Sequence, residues 1–376
     1  MLIFIILHER TPVIVKLPII PLLLQGFTSY IKMSIRTALL SFGMSGRVFH
    51  APFIHLHPGF TLVSCWERSQ KHIQSIYPSV ESVSDMDHIL KDASIDLIIV
   101  NTPIYTHFEY AQKALEAGKH IVVEKAFTSF YSEALALEKL AKENEKQIFV
   151  YQNRRLDSDF LTVKKVYDSG VLGEIVEAEF HFDRFNGAQS PKLHKEIPGP
   201  GAGIVKDLGP HIIDQALYLF GKPDAVFADF RMTRPETQVE DLFEILLYYP
   251  SLRVRLKAGY YFKEPIPAFQ LHGKKGSFLK VRADKQEPDL VAGLLPQGEE
   301  WGTETEESFG LLHVDGQEPF RVPSEKGDYM QFYNNVHETL TAKAKPAVSS
   351  KDGVLCMQVI DAAFRSASEQ RVISLS

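Results

Sequence analysis

The chain has 376 residues, 45% hydrophobic and 23% charged, with a formal charge of -6 at pH 7. That length exceeds what one hydrophobic core usually organises, so two domains are expected. The mildly acidic balance lacks the basic footprint of a nucleic-acid binder, and the only cysteines, Cys65 and Cys356, are too few for a disulfide framework or a Cys-ligated zinc site.

Residues 1–32 differ in kind from the rest of the chain. They are apolar but interrupted by His8, Glu9, Arg10, Lys16, Pro18 and Pro21, so no stretch reaches the roughly eighteen uninterrupted apolar residues of a spanning helix. The order of a secretory leader, basic start then apolar core then small cleavage residues, is also missing. The expectation is an extension outside the functional protein, which begins at Met33, with no membrane partner and a reducing, cytoplasmic location.

From Ser34 short apolar runs alternate with amphipathic stretches, the pattern of a parallel sheet covered by helices. Leu39–Phe42, Leu62–Trp66, Leu97–Val100, Ile121–Val123 and Ile148–Val150 read as strands buried on both faces. Phe108, Ala111, Ala114 and Leu115 mark one helical stripe, ended by Gly118, and Ala134, Leu137, Leu140 and Ala141 mark another. The first strand runs into Ser41-Phe42-Gly43-Met44-Ser45-Gly46, two-thirds of a GxGxxG dinucleotide loop. Gly43 lets backbone approach a pyrophosphate and Gly46 lets the following helix pack close, while Ser41 replaces the first glycine. Met44 and Ser45 complete the loop. Glu67, ending the second strand, suits the ribose hydroxyls of NAD; Arg68 and Ser69 suit the 2'-phosphate of NADP, so the choice stays open. Asn101, Thr102, Pro103 and His107 fall at the carboxyl edge of the sheet, as do Glu124 and Lys125 after the next strand, and ligands of open parallel sheets bind there.

Further along, 174–182 and 225–233 have strand spacing, continued by Phe243–Tyr249 and Arg253–Tyr261. Pro210–Phe220 reads as a helix that Gly221 ends, because proline suits a first turn and glycine a C-terminus. His211 then lies in the first turn with Asp207 just upstream, an acid placed to fix the imidazole tautomer. Gly353–Glu369 reads as a last helix, with Val354, Met357, Ile360 and Ala363 on one stripe. A large antiparallel sheet with one uncovered face needs a second subunit. A zinc set of His181, Asp183 and His211 lacks any compact ligand spacing, so no metal is expected.

Gly43-Met44-Ser45-Gly46, Asn101-Thr102-Pro103, Glu124-Lys125 and Asp207 through His211 occur in the order seen in the Gfo/Idh/MocA oxidoreductases, which the chain resembles from about Met33 to its end. The runs Tyr151–Phe160 and Gly201–Asp214 look closest to the branch holding NADP-preferring scyllo-inositol dehydrogenases. Two departures stand out: Glu124-Lys125-Ala126 replaces the family's Glu-Lys-Pro, and Ser41 replaces the first loop glycine. The resemblance implies an α/β fold, with a Rossmann NAD(P)-binding domain over residues 33–154 and a substrate and oligomerisation domain over 155–376. The latter would carry a large open-faced, mostly antiparallel sheet that pairs subunits into a homodimer or homotetramer.

It further implies a hydride exchanged between nicotinamide and a carbinol or ketone of an inositol-like polyol or sugar, with NAD or NADP as cofactor. Lys125, Asp207 and His211 would be the catalytic set: His211 handling the proton, Lys125 stabilising the developing oxyanion, Asp207 orienting His211. A second division, with Lys125 as the base at a lowered pKa, is left open by these residue types, His211 being the first choice. Asn153, Arg154, Arg155, Asp157, Asp183 and Arg184 would contact substrate alongside His211, and a Pro/Gly-flanked loop carrying His194 and Lys195 would close over it. The competing reading is a non-catalytic NAD(P)-binding regulatory protein of the same fold, which would have no use for Lys125 and His211.

Overall fold

The computed structural model describes residues 34–68, 71–264 and 266–375; the extension and Ser69 lie outside them. Within residues 34–151 apolar runs with almost no polar interruption form six strands. They are β1 (Ile35–Leu39), β2 (Phe60–Trp66), β3 (Glu81–Val83), β4 (Leu97–Val100), β5 (His120–Glu124) and β6 (Ile148–Tyr151). All pair in parallel in the order β3-β2-β1-β4-β5-β6, the two-winged order that leaves a crevice at the carboxyl ends between β1 and β4. Helices α1 (Ala51–Leu56), α2 (Ile73–Ile76), α3 (Met86–Lys91), α4 (His107–Glu116) and α5 (Tyr131–Glu143) connect the strands. The residues of β4 and β6 are buried throughout, as the sequence predicts. Strand β1 ends earlier than the apolar run suggests, because Leu40 to Gly43 leave the ladder to make the loop. Strand β3 was not expected: it has three residues, of which only Val83 is buried, too few to show a period.

The second sheet has nine strands in the order β14-β13-β12-β11-β7-β10-β9-β8-β15. In chain order they are β7 (Ile175–Asp183), β8 (Ala225–Arg231), β9 (Leu242–Tyr248), β10 (Arg253–Gly259), β11 (Phe269–Gly273), β12 (Gly276–Lys280), β13 (Gly310–Val314), β14 (Phe320–Val322) and β15 (Ile373–Ser374). Only β7 and β10 run parallel; the other pairs are antiparallel. Helices α6 (Ser158–Asp168), α7 (Leu193–Glu196), α8 (Ile204–Asp207), α9 (Gly209–Phe220), α10 (Gln286–Val291), α11 (Met330–Ala342) and α12 (Ser350–Glu369) complete the fold. Along β9 Phe243, Ile245 and Leu247 are buried while Leu242, Glu244, Leu246 and Tyr248 are half-exposed, the alternation of a sheet covered on one face. The covered face takes α6, α9 and α12. Periodicity did not reveal α6, α11 or β11 to β15, where polar residues break the apolar pattern.

Helix α9 follows its sequence signals: Pro210 sits in its first turn and Gly221, at φ +75°, ends it. Helix α12 belongs to both halves. It packs on α5 and β6 of the first sheet and on β8 and α9 of the second. A Cβ on Gly353 would lie 2.7 Å from a ring carbon of Phe127 and 2.8 Å from a methyl of Val150, so glycine is what lets α12 approach β6. Just before α12, the amide of Val150 donates to the carbonyl of Val348 at 3.4 Å, extending the first sheet with residues from the far end of the chain.

Candidate active site

The parallel order places the ends of β1, β4, β5 and β6 along one edge, and the residues after each line a cleft of about 550 Å³. Gly43, Met44 and Ser45 come from the loop after β1. Asn101, Thr102 and Pro103 follow β4, Glu124 ends β5 with Lys125 just after it, and Asn153 and Arg154 follow β6. The opposite wall carries Arg184 from the end of β7, Lys192, His194 and Lys195 around α7, Asp207 from α8 and His211 from α9. A second cavity of about 260 Å³ opens beside the ends of β1 and β2, lined by Gly43, Trp66, Glu67, Arg68, Thr102 and Pro103 among others.

The loop after β1 makes its turn without the missing glycine, since the Ser41 hydroxyl accepts from the Gly43 amide at 3.1 Å. Gly46 is indispensable there. A Cβ would stand 2.2 Å from the Ser41 carbonyl oxygen and 2.8 Å from Asn101 Nδ2, and that amide already donates to Ser41 O at 2.8 Å. Asn101 therefore braces the loop. Glu124 does similar work: its carboxylate accepts from the Ser45 hydroxyl at 2.5 Å, His50 Nε2 at 3.1 Å and the Lys125 amide at 3.1 Å. Burial pushes the Glu124 carboxyl up, but His50, Ser45 and Lys125 together outweigh it and hold it down to about 2. The other nitrogen of His50 meets the Tyr333 hydroxyl at 2.6 Å. His50 and Tyr333 escaped the sequence reading, and no local signal marks the pair.

Lys125 and His211 do share the cleft. Lys125 Nζ donates to the Asp207 carbonyl at 2.7 Å and to Asp207 Oδ1 at 3.2 Å, and Lys195 Nζ donates to the same Oδ1 at 2.8 Å. The expected Asp207–His211 contact is corrected by this arrangement: the carboxylate is taken by two ammonium groups, and His211 Nδ1 is buried without a hydrogen-bond partner among the described residues. Burial opposes ionisation of Asp207, yet the two lysines keep it well below the usual carboxylate range. Burial lowers the Lys125 ammonium against the pull of Asp207. Burial and the positive charges of Lys125, Arg154, Arg282 and Arg184 hold the His211 ring well below its ordinary value, so it is a neutral imidazole at neutral pH.

Five other expectations are corrected. The Glu67 carboxylate accepts from the amides of His72 at 2.8 Å and Ile73 at 3.3 Å and from the Ser82 hydroxyl at 2.7 Å, so it anchors α2 and is spent as a ribose acceptor. His107 is fully buried, its ring nitrogens facing the carbonyls of Ala126 at 2.9 Å and Thr102 at 2.8 Å. Arg155 turns away from the cleft into a buried pair with Asp214. Asp157 is fully buried and accepts from the Tyr329 hydroxyl at 2.6 Å and from Arg154 at 3.1 Å, so it supports Arg154 from behind. Asp183 follows Phe182, whose ring lies 6.0 Å from that of His211; the two-residue period of β7 sends Asp183 to the other face, beside His181 at 3.4 Å. Arg68 remains available: it is exposed, its guanidinium stands 6.0 Å from the Trp66 ring centre, and it makes no ion pair among the described residues. No group of three or more His, Cys, Asp or Glu side chains that could hold a metal ion occurs among the described residues.

Comparison with known proteins agrees with the geometry. The family model described as oxidoreductase family, NAD-binding Rossmann fold matches residues 35–152, and its companion, the oxidoreductase family C-terminal alpha/beta domain, matches residues 164–375. An uncharacterised oxidoreductase of Schizosaccharomyces pombe is 38% identical, over 91% of this chain and 99% of the relative. A scyllo-inositol 2-dehydrogenase (NADP(+)) of Bacillus subtilis is 33% identical, over 91% of this chain and 96% of that one. The crystal structure of an oxidoreductase from Bacillus cereus superposes with a TM-score of 0.84 at 30% identity, covering 91% of this chain and 99% of that chain.

Proposed function

Since the chain belongs to the Gfo/Idh/MocA oxidoreductases, and is thereby an NAD(P)-dependent enzyme, we propose that it exchanges a hydride between NADP and a carbinol carbon of a polyol or sugar held between Lys125 and His211. The observation that carries this reading is the convergence of those two side chains on the cleft that also holds the glycine loop. The residues fit a dinucleotide: the close approach at Gly46 leaves no room for a side chain where the loop must fold around a pyrophosphate. When bound, the nicotinamide takes or gives the hydride.

The protein's part is the hydroxyl proton. A neutral His211 imidazole donates a ring N–H to the substrate oxygen and orients it, and Lys125, lowered by burial, takes the hydroxyl proton and, as the ammonium so formed, steadies the oxygen's developing charge. Asp207 fixes the Lys125 ammonium through its carbonyl and carboxylate. This favours the second of the two divisions of labour open to the sequence. Asn153, Arg154 and Arg184 supply the remaining polar contacts in the cleft. On this reading residues 33–154 bind cofactor and residues 155–376 bind substrate. The inositol-acting Bacillus relative supports a polyol.

Glu67 locked onto α2 and Arg68 free beside it favour NADP. A charge-assisted hydrogen bond to a phosphate contributes about 1.5–3 kcal/mol, so Arg68→Gln is expected to raise KM for NADP+ by about tenfold or more and to change that for NAD+ little. Nicotinamide absorbance, followed with each oxidised cofactor across inositols and aldoses, tests cofactor and substrate together. No reduction of either cofactor with any of them would overturn the reading.

We further propose a homo-oligomer in the cytoplasm. The uncovered face of the second sheet presents Leu242, Leu246 and Phe227 half-exposed and Leu311 exposed, and both cysteines are buried as free thiols. No described helix is long and apolar enough to cross a membrane. Sedimentation equilibrium should give a dimer or tetramer at micromolar concentration, and a monomer there would remove this assignment.

A further inference from the structure

Beyond the cleft lies a side pocket of about 220 Å³, and the two share Arg184, Lys195 and Asp207 as their common wall. Its lining is polar, with Asn186, Gln189, Ser190 and Tyr260 around the opening. The charges of the combined space divide unevenly. Every carboxylate in it already has a partner: Asp207 holds Lys125 and Lys195, Glu287 holds Arg154, Glu196 holds Arg234, and Glu124 takes His50 and Ser45. The cations are not all used. Arg184 and Lys192 make no side-chain hydrogen bond and no ion pair among the described residues. Arg184 is nonetheless placed, its guanidinium 5.3 Å from the centre of the Phe182 ring, the same ring that packs beside His211.

A neutral polyol can take hydrogen bonds from such groups but leaves the charge of two unpaired cations beside its site without a counterpart. Cofactor phosphates do not account for them. The loop that would cradle a pyrophosphate and the Arg68 that would meet a 2'-phosphate belong to the first sheet, whereas Arg184 and Lys192 enter from the wall formed by β7 and α7.

We propose that the substrate carries an anionic substituent, a carboxylate or a phosphate monoester, which Arg184 receives at the junction of cleft and side pocket while the reacting carbinol lies between Lys125 and His211. This rests on the oxidoreductase reading and narrows its substrate to acidic polyols or sugars. The planar guanidinium suits either anion through paired hydrogen bonds.

The test compares glucuronate and glucose 6-phosphate with glucose and myo-inositol as substrates of the full-length protein. The charged pair is expected to exceed the neutral pair in kcat/KM by about tenfold or more, and added salt is expected to shrink that ratio, because exposed charges are screened over about 10 Å at 0.1 M ionic strength. Whichever of the two charged compounds leads tells carboxylate from phosphate. Arg184→Gln should bring the charged-to-neutral ratio close to one, and Arg184→Lys should keep part of it. A second measurement needs no turnover: quenching of NADPH fluorescence by each compound, which the charged pair should produce at lower concentration. Neutral compounds turned over or bound as well as charged ones would overturn the inference and leave the oxidoreductase reading standing. NADPH binding with no response to any of the four compounds, in turnover or in quenching, would overturn the inference as well. Failure to bind either reduced cofactor would instead strike the reading beneath it.

Discussion

Lys125→Met is expected to lower kcat by about a thousandfold or more while the protein still binds NADPH. Proton transfer by a placed side chain is worth about 10²–10⁴-fold and a preorganised cation at a developing oxyanion about 10²–10³-fold, and methionine keeps the unbranched stem of lysine as far as Cε while removing both. The surroundings should hold, because Asp207 keeps Lys195 at 2.8 Å when it loses Lys125. The pH profile of the native enzyme carries the same assignment. Oxidation needs the unprotonated amine, so its kcat/KM should rise with pH through the Lys125 titration, and reduction should fall through it. Burial puts that midpoint below the ordinary lysine value of 10.5. If His211 were the base, the midpoint would lie below 6.5, since the ring is held down by burial and by four neighbouring cations. A methionine variant with near-native turnover, or an oxidation profile with its only inflection below 6.5, would refute the role given to Lys125.

Arg155→Met is expected to cost about 3–5 kcal/mol of folding stability, the range for breaking a buried ion pair and stranding its partner. Arg155 grips Asp214 through Nε at 2.7 Å and Nη2 at 2.6 Å, and reaches the Ala347 carbonyl and Asp352 at 3.0 Å each. Asp214 is 2% exposed, so without the guanidinium its carboxylate has neither water nor a counter-charge. Urea unfolding should show a lower midpoint at similar slope. The double variant Arg155→Met, Asp214→Leu should recover most of the loss, because replacing both members of a buried pair by apolar groups is often neutral. A substrate contact at Arg155 would give the opposite pattern, a raised KM with unchanged stability.

What the sequence revealed and what it hid separate along a physical line. The strands of the first half could be read because burial on both faces writes continuous apolar runs, and the parallel order then delivers Lys125 to the right edge by topology. Helix α9 declared itself through Pro210 and Gly221. Residue type, however, does not say where a polar side chain spends its hydrogen bonds. Glu67, His107, Arg155 and Asp157 have the chemistry of ligand contacts, and each is consumed by the protein itself. Asp183 is different, for the signal was present: with Phe182 facing α9, the alternation of a strand already put its neighbour on the opposite surface. The brace from His50 to Tyr333 joins residues 283 positions apart, beyond any local pattern. Ser41, which looked like damage to the glycine loop, makes the turn with its own hydroxyl.

Helix α12, seated by Gly353 against Phe127 and Val150, sets the order in which the molecule can be finished. A ribosome emits the nucleotide-binding strands first, but the cover for β6 and α5, the Val348 carbonyl that meets β6 and the Tyr333 hydroxyl that steadies His50 all emerge only after most strands of the second sheet. The half that comes out first is thus the half that must wait: β6 and α5 for the cover that α12 brings, and the glycine loop for Tyr333 of α11 to reach His50.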